Sequence, residues 1–214
     1  MSEPSTSPAP LKTNVYVDGF NLYYGCVKGT PYKWLNILEL CRLSLPAHYQ
    51  INRIRYFTAL VRPRPSDPQQ GVRQQIFIRA LQTLPMLTTH YGNFLESQVR
   101  MPLVNPPPST ALVVKTEEKG SDVNLATYLL VDGYEGDFEA AVVITDDSDL
   151  AEPITVVRQR LHRHVTVLSP RGRSRKLSQV ATRFRQIDPQ NLAASQFPEV
   201  FTDVHGLITK PASW

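Results

Sequence analysis

The stretch Ala140-Ala-Val-Val-Ile-Thr-Asp-Asp-Ser-Asp-Leu150 decides the predicted fold. Its first six residues are small, apolar or β-branched, a pattern that predicts a strand buried on both faces of a sheet. Aspartates follow at the point where that strand would end. Asn14-Val-Tyr-Val-Asp18 is a second run of the same kind, and the glycine after it predicts a turn.

Strands and helices alternate along the remaining sequence. Apolar runs predict strands over residues 51–60, 111–115 and 164–168, and helical spacing predicts helices over about 34–45, 69–84, 121–134, 150–161 and 176–184. Residues 86–103 are predicted to form a short strand and then an irregular excursion. The prolines of Asn105-Pro-Pro-Pro-Ser109 exclude a helix or a central strand there. The alternation predicts an α/β fold with a central, mostly parallel sheet flanked by helices.

The length of 214 residues and the apolar fraction of 42% suit one domain with a full-sized core. We expect residues 1–12 to be a disordered leader, residues 13–188 to be the domain, and residues 189–214 to be a tail. No apolar run approaches the roughly 20 residues that a membrane-spanning helix needs, and no secretory signal is evident. We therefore expect no membrane association and a cytoplasmic location.

Several common cofactor and metal motifs do not occur. Cys26 and Cys41 form no CxxC pair, the five histidines are scattered and there is no HExxH, which argues against a zinc site or a disulfide framework. There is no GxGxxG or Walker sequence either, so we expect no nucleotide cofactor.

Charge is distributed unevenly along the chain. Residues 116–152 contain eleven acids and one base, whereas residues 151–190 contain nine bases and two acids. An acidic centre beside a basic flank suits an enzyme that holds cations in its site and a polyanion alongside. Solvated helix faces would produce the same pattern, so charge alone does not decide the function.

Four aspartates are predicted to occupy similar places in the fold. Asp18, Asp147 and Asp149 follow strands, and Asp122 opens a helix after another strand. Ligand sites of open parallel sheets lie outside the carboxyl ends of the strands, so these side chains face one crevice if their strands are neighbours. Carboxylates without His or Cys select Mg²⁺ or Mn²⁺, and such ions serve phosphodiester hydrolysis.

Each of these acids also has a purely structural interpretation. Asp18 with its following glycine is typical of a turn. Asp122 is placed where a negative charge stabilises the N-terminus of a helix. Asp146, Asp147 and Asp149 could together cap the next helix. The functional hypothesis therefore depends on their common placement.

Three segments resemble the motifs of NYN domains, the LabA-like branch of the PIN-like nuclease superfamily. They are Val15-Tyr-Val-Asp-Gly-Phe-Asn-Leu-Tyr-Tyr-Gly25, Glu118-Lys-Gly-Ser-Asp-Val-Asn-Leu-Ala126 and Val143-Ile-Thr-Asp-Asp-Ser-Asp-Leu150. The resemblance covers roughly residues 13–185. It implies a PIN-like three-layer fold and Mg²⁺- or Mn²⁺-dependent cleavage of RNA.

The resemblance also assigns expected roles to residues. Asp18, Asp122, Asp147 and Asp149 match the family's metal-binding acids, and Asn21 matches the companion of the first acid, which orients ligand or substrate. This chain departs from the usual motif because Thr145 and Asp146 stand where Ser and Gly are common. Asp146 either adds charge to the site or faces away from it.

Candidate substrate contacts are less specific. We expect phosphate contacts from the loop and helix start that contain Arg171, Arg173, Arg175 and Lys176. The second candidates are Arg62 and Arg64 in the proline-rich loop Arg62-Pro-Arg-Pro-Ser-Asp-Pro68, and a solvated surface is the alternative for both groups. Glu118 and Lys119 either face the site or lie on the surface. Tyr23 and Tyr24 either stack on a base or, as we expect, pack in the core.

The sequence therefore predicts a metal-dependent ribonuclease, an endoribonuclease or a related RNA-processing nuclease. The alternative is a non-catalytic RNA-binding or regulatory protein on the same fold. A haloacid-dehalogenase-type phosphatase is excluded because it needs an acid two residues after its first aspartate, where this chain has Phe20. PIN-like relatives often dimerise, so a homodimer is also expected as a possibility.

Overall fold

The computed structural model describes residues 9–105 and 110–214. The strands are β1 (Leu11–Asp18), β2 (Tyr49–Thr58), β3 (Leu87–Tyr91), β4 (Asn93–Pro102), β5 (Thr110–Lys119), β6 (Ala140–Ile144), β7 (His164–Ser169), β8 (Arg183–Gln186), β9 (Val200–Asp203) and β10 (Gly206–Thr209). The helices are α1 (Gly19–Leu22), which continues as a π-helical turn (Tyr23–Val27), α2 (Ile37–Ser44), α3 (Gln70–Gln82), α4 (Ser121–Tyr134), α5 (Ala151–Gln159), α6 (Arg175–Val180) and α7 (Pro189–Ala194). A 3₁₀ turn (Ser148–Leu150) precedes α5.

Six strands form the central sheet in the order β3-β2-β1-β6-β7-β8, and every neighbouring pair is parallel. The predicted α/β fold with a mostly parallel central sheet is therefore confirmed. Alternate residues of the middle strands enter different cores, because side chains of a strand point to opposite faces. Val15 and Val17 belong to the core on one face, which we call the first core, and Tyr16 belongs to the second core, on the other face.

Helices cover both faces of the sheet and make the fold three-layered. Leu40 of α2 and Leu81 of α3 contribute to the first core. Leu129 of α4, Ile154 of α5 and Leu177 of α6 contribute to the second. In α4, Leu125 is fully buried, whereas Val123 two residues earlier is exposed.

The register of the two middle strands positions the candidate site. β1 lies directly beside β6, with Val17 opposite Ile144. Both strands run in the same direction, so Asp18 and Thr145, which follow this last pair, emerge at the same edge of the sheet. The acids after β6 are therefore close to the end of β1, as the sequence predicts for neighbouring strands.

The predicted irregular excursion after β3 is wrong. Residues 93–102 form β4, which pairs with β5 in antiparallel register from Asn93–Lys119 to Pro102–Thr110. The two strands make a separate ribbon, and β5 is longer than the predicted strand over residues 111–115. Periodicity could not show this, because the pairing partner of β4 lies beyond the proline-rich segment. Residues 106–109 of that segment lie outside the described residues.

Two further element boundaries differ from prediction. The helix expected over residues 176–184 ends at Val180, and Arg183 begins the edge strand β8. β1 begins at Leu11, three residues before the predicted strand, and the Leu11 backbone N–H donates to the His48 carbonyl at 2.7 Å. Residues 1–8 of the expected leader lie outside the described residues.

The segment after residue 188 is part of the fold. It forms α7 and the β9–β10 hairpin, and it buries Leu192, Phe197 and Ile208 in the first core. The Trp214 ring lies 5.5 Å from the ring of Phe77 on α3, measured between centroids. Among the described residues, no helix is both long enough and apolar enough to cross a bilayer.

Candidate active site

Asp18 is held rigidly at the end of β1. Its side chain is buried, with the residue 3% exposed. Oδ1 accepts a hydrogen bond from the Asn21 backbone N–H at 2.9 Å, while Oδ2 accepts one from the Asn21 amide nitrogen at 2.7 Å and one from the Thr145 hydroxyl at 3.0 Å. Burial raises the pKa of Asp18, and the hydrogen bonds from Asn21 and Thr145 oppose that rise.

Thr145 connects the two acidic strand ends. Its Oγ1 also accepts a hydrogen bond from the Asp147 backbone N–H at 3.0 Å. Asp147 in turn accepts one from the Asp149 backbone N–H at 2.9 Å, which begins the 3₁₀ turn. One buried hydroxyl therefore fixes the Asp18 carboxylate and the loop that carries Asp147 and Asp149.

Asp122 reaches the same region from the first turn of α4. Gly120 precedes the helix with φ of +98°, a conformation that favours glycine. The Glu118 carboxylate accepts hydrogen bonds from the Ser121 backbone N–H at 3.1 Å and from its hydroxyl at 2.7 Å. The Glu118 side chain therefore satisfies a backbone donor that the start of the helix leaves free.

The negative charges of the cluster act on one another. Partial burial raises the pKa of Asp122 to about 6, and the charges of Asp18 and Asp147 add to the rise, followed by those of Glu118 and Asp149. Aspartates from three separate parts of the chain thus lie within electrostatic range at the carboxyl edge of the sheet. This is the convergence on which the sequence hypothesis depends.

The chemistry of these donors suits a hard divalent cation, since all are carboxylates. In the described parts of the chain, however, no group of three or more His, Cys, Asp and Glu residues is arranged so that it could hold a metal ion. Asp18 and Asp147 already accept internal hydrogen bonds. The acids therefore converge without forming a preassembled coordination shell, and binding an ion would require their side chains to draw together.

A cleft of about 420 Å³ opens beside the acids, and we call it the acid cleft. Asp18, Asn21 and Asp122 line it on one side, and the proline-rich loop with Arg62 and Arg64 lines it on another. The β4–β5 ribbon completes the wall through the side chains of Phe94, Glu96, Thr116 and Glu118. The ribbon that the sequence did not predict is thus a wall of the candidate site.

The predicted phosphate-binding residues are distributed differently. Arg171 and Arg173 line another cavity, beside Gly25 and Cys26, and Arg171 donates a hydrogen bond to the Tyr24 carbonyl at 3.2 Å. Arg175 and Lys176 are exposed at the start of α6, and Lys119 is exposed, with its Nζ 3.6 Å from the Glu117 carboxylate. Within the described residues, Arg62 and Arg64 are the bases that line the acid cleft.

Asp146 faces away from the acid cluster. Its carboxylate accepts hydrogen bonds from the Ser169 hydroxyl and, at 2.7 Å, from the Arg171 backbone N–H. These bonds hold the loop after β7. The sequence left open whether Asp146 adds charge to the site or faces away from it, and the structure supports the second alternative.

A second opening lies next to the acid cleft. This cavity of about 290 Å³ has aromatic walls formed by Tyr23, Tyr24, Tyr56, Phe77 and Trp214, and we call it the aromatic cavity. Tyr24 is 47% exposed, so the expected core packing is wrong for this residue. Tyr23 packs against the first core as expected.

Sequence reasoning missed residues that shape the site. Thr145 was noted only as a departure from the motif, although it keeps the hydroxyl of the usual serine, and that hydroxyl is the signal that could have identified it. Tyr56 lies against Gly19, where a Cβ would come within 2.7 Å of the ring. Trp214 reaches the aromatic cavity from a segment without a recognisable motif, so no local signal could have placed it.

Known proteins resemble this chain in sequence and in fold. A protein of Pseudomonas putida (strain DSM 28022 / S16) named 6-hydroxy-3-succinoylpyridine 3-monooxygenase HspA is 32% identical over 237 aligned positions, which cover 96% of this chain and 76% of the relative. A crystal structure of a protein of unknown function from Vibrio parahaemolyticus superimposes with a TM-score of 0.57 and 18% identity, over 86% of this chain and 97% of that one. This second likeness supports the fold alone.

The family comparison covers most of the chain. The model of the NYN domain matches residues 12–188, which include all but the first residue of β1, the strands β2 through β8 and all the acids of the cluster. The NYN domain is part of the PIN-like superfamily and has a nuclease-like fold, whereas the LabA-like branch stays a prediction. This chain belongs to the NYN domain family.

Proposed function

We propose that this protein is a Mg²⁺- or Mn²⁺-dependent endoribonuclease. The observation that supports it is the convergence of Asp18, Asp122, Asp147 and Asp149 beside an open cleft at the carboxyl edge of the sheet. Membership of the NYN domain family, a nuclease-type hydrolase family, agrees with this proposal.

The four aspartates are the residues that would hold the metal. A bound divalent ion lowers the pKa of a coordinated water and stabilises the charge that develops on a phosphodiester. Asn21 and Thr145 position the Asp18 carboxylate through the three hydrogen bonds described above. Such positioning limits the rearrangement that the cluster needs, because one of its members is already fixed.

Substrate phosphates would meet basic side chains on two sides of the acids. Arg62 and Arg64 line the acid cleft itself. We propose that the second group extends the binding surface along the RNA, and its members are Lys119, Arg171, Arg173, Arg175 and Lys176. Contacts to phosphate position a strand without reading its sequence.

Incubation of the purified protein with RNA tests the proposal. We expect product in Mg²⁺ or Mn²⁺ and none in EDTA, and we expect Asp18→Asn and Asp147→Asn to abolish cleavage while circular dichroism remains unchanged. Glu135→Gln is the matched control, because Glu135 is an exposed acid at the far end of α4. Full activity in either site variant, with contaminating nuclease excluded, would refute the proposed site.

The alternative of a non-catalytic RNA-binding or regulatory protein makes a different prediction. Such a protein retains its affinity for RNA in EDTA and forms no product in any metal. A binding assay run beside the cleavage assay therefore separates the two. Size-exclusion chromatography with light scattering tests the proposed homodimer, and cell fractionation tests the proposed cytoplasmic location.

A second candidate function is action on a small heteroaromatic acid. It is favoured by the Pseudomonas putida relative, whose name gives 6-hydroxy-3-succinoylpyridine as its substrate, and by the aromatic cavity beside the acids. The test is aerobic incubation of this protein with that pyridine and a two-electron donor such as NADH, because a monooxygenase inserts one atom of O₂ and reduces the other to water, followed by chromatography. Consumption of the pyridine together with intact RNA would favour this function over the nuclease.

A further inference from the structure

The aromatic cavity is built from rings that contact one another around its wall. Tyr23 and Tyr24 meet edge to face with centroids 5.1 Å apart, and Phe77 meets Trp214 in the same way at 5.5 Å. The Tyr56 ring, also edge to face with Phe77 at 6.4 Å, lies in the same wall. Flat apolar surfaces of this kind stack well on a planar ring and poorly on a flexible aliphatic chain.

The lining of the cavity is also positively charged. Lys28, Lys33, Arg64 and Arg73 contribute to it, whereas Asp67 is the acid that lines it and is already paired with Arg73. Among the described residues, Lys28, Lys33 and Arg64 form no ion pair with a carboxylate. Lys28 lies over the Tyr24 ring, with Nζ 5.0 Å from its centroid. The cavity therefore combines aromatic walls with cations that are available to an anion.

The cavity opens next to the acid cleft. Both are lined by Phe20, Tyr24, Val61, Arg64 and Gln70. Phe20 stacks on Tyr24 at 6.4 Å and meets Phe94 of the ribbon edge to face at 5.9 Å, so a row of aromatic rings runs from one opening to the other. A polyanion in the acid cleft could therefore place a ring in the cavity without leaving the surface.

We propose that the aromatic cavity binds one planar aromatic ring that carries an anionic group. The ring lies among Tyr23, Tyr24 and Trp214, and the anion meets Lys28, Lys33 or Arg64. The volume of about 290 Å³ is just below the range for small-molecule sites, roughly 300–1,000 Å³, and suits one ring with its substituent. Two sources share this chemistry: a nucleotide unit of an RNA strand and a free heteroaromatic carboxylic acid.

Isothermal titration calorimetry in EDTA tests this inference without any cleavage. The probes are uridine 5′-monophosphate for the nucleotide source and nicotinate for the free acid, with uridine and succinate as controls that lack the anion or the ring. Because no divalent ion is present, a negative result here leaves the nuclease proposal standing, and an inactive nuclease leaves this binding test valid.

We expect at least one of the two anionic ring probes to bind saturably and more tightly than uridine or succinate. The probe that binds identifies the source, and binding of both supports the shared chemistry. No saturable binding of either probe, or equal binding of succinate, would overturn the inference. Quenching of tryptophan fluorescence should accompany binding, because Trp214 lines the cavity.

Two variants locate the binding. Tyr24→Ala should weaken it about fivefold or more, because stacking on that ring is lost. Lys33→Met should weaken binding of the anionic probe and leave the affinity for neutral uridine unchanged. The control is Tyr134→Ala, since Tyr134 is 64% exposed at the end of α4. Unchanged affinity in both cavity variants, or an equal loss in the control, would contradict the assignment to this cavity.

Discussion

The hydroxyl of Thr145 lies 3.0 Å from Oδ2 of Asp18 and donates a hydrogen bond to it. The Thr145 hydroxyl oxygen also accepts a hydrogen bond from the Asp147 backbone N–H, again at 3.0 Å. Thr145 is fully buried between neighbouring strands, so this arrangement has little freedom to move. It joins the acid at the end of β1 to the acids that follow β6.

Replacing Thr145 tests whether this link matters for the proposed cleavage. Thr145→Val keeps the shape of the side chain and removes the hydroxyl, so the Asp18 carboxylate loses one of its buried donors. We expect a loss of about 10- to 100-fold in cleavage rate, the range found for partners that orient metal ligands. The measurement is single-turnover cleavage of RNA in Mg²⁺ or Mn²⁺.

Thr145→Ser is the matched control, because it restores the hydroxyl and removes only a methyl group. Its cleavage rate should stay within a few-fold of the unmodified protein. A valine variant as active as the serine variant would show that the hydrogen bond to Asp18 does not contribute to catalysis.

The pKa of Asp122 allows the acid cluster to be tested without an enzymatic assay. Its pKa is raised to about 6 by partial burial and by the charges of Asp18 and Asp147. In EDTA, Asp147→Asn should therefore move the pKa of Asp122 down towards its ordinary value. The measurement is a carboxyl-carbon NMR titration, and an unchanged pKa in the variant would show that the two side chains do not interact.

The same shift has a consequence for stability. The folded state binds the Asp122 proton more tightly than the unfolded chain does, so its contribution to stability is fully present below the ordinary pKa of 3.8 and is lost as the pH rises through about 6. In EDTA, Asp122→Asn should therefore raise the thermal midpoint above that of the unmodified protein at pH 8. At pH 4 the variant should have a smaller effect. A control substitution, Glu135→Gln, should show no such dependence on pH.

The positions of the acids were predictable from the sequence because they depend on local patterns. A continuous apolar run such as residues 140–144 fits a buried parallel strand, and parallel strands deliver the residues that follow them to one edge. The orientation of Asp146 was not predictable, because its partners Ser169 and Arg171 lie more than twenty residues away.

Long-range partners also explain the other differences. The ribbon wall of the acid cleft depends on pairing across the proline-rich segment, which no local period reveals. Trp214 contributes to the aromatic cavity only because the segment after residue 188 packs on the first core. Local patterns therefore predicted the ends of the strands, and tertiary contacts determined the walls of the site.

A buried ion pair anchors α4 at the end opposite to Asp122. Arg55 on β2 donates two hydrogen bonds to the Asp132 carboxylate, at 2.7 and 2.8 Å, and the Tyr16 hydroxyl donates a third at 2.8 Å. Asp132→Ala leaves the Arg55 charge buried without its partner. We expect a loss of about 3–5 kcal/mol in the free energy of unfolding, measured by urea denaturation.

The double variant Arg55→Met with Asp132→Leu removes both charges and should recover most of that loss. The exposed pair of Arg42 and Glu39 is the control, because ion pairs at the surface contribute at most about 1 kcal/mol. A cost below about 1 kcal/mol for Asp132→Ala would contradict the anchoring role.

Gly19, the residue directly after Asp18, lies in close contact with the neighbouring strand β2. A Cβ at this residue would lie 2.7 Å from the Phe57 carbonyl oxygen and equally close to the Tyr56 ring. The carbonyl belongs to a central strand and cannot shift cheaply. Gly19→Ala should therefore displace the chain directly after Asp18, with a cost of about 1–3 kcal/mol in the free energy of unfolding.

The displacement should also reduce cleavage at temperatures where the variant is still folded, because Asp18 and Asn21 flank this residue. Gly206→Ala provides the comparison. Gly206 has a φ of +109° and open space around its Cα, so alanine there introduces backbone strain far from the acids. It should lose stability and keep its cleavage rate. If Gly19→Ala cleaved RNA as fast as Gly206→Ala, the close approach of Gly19 to β2 would not be what positions Asp18.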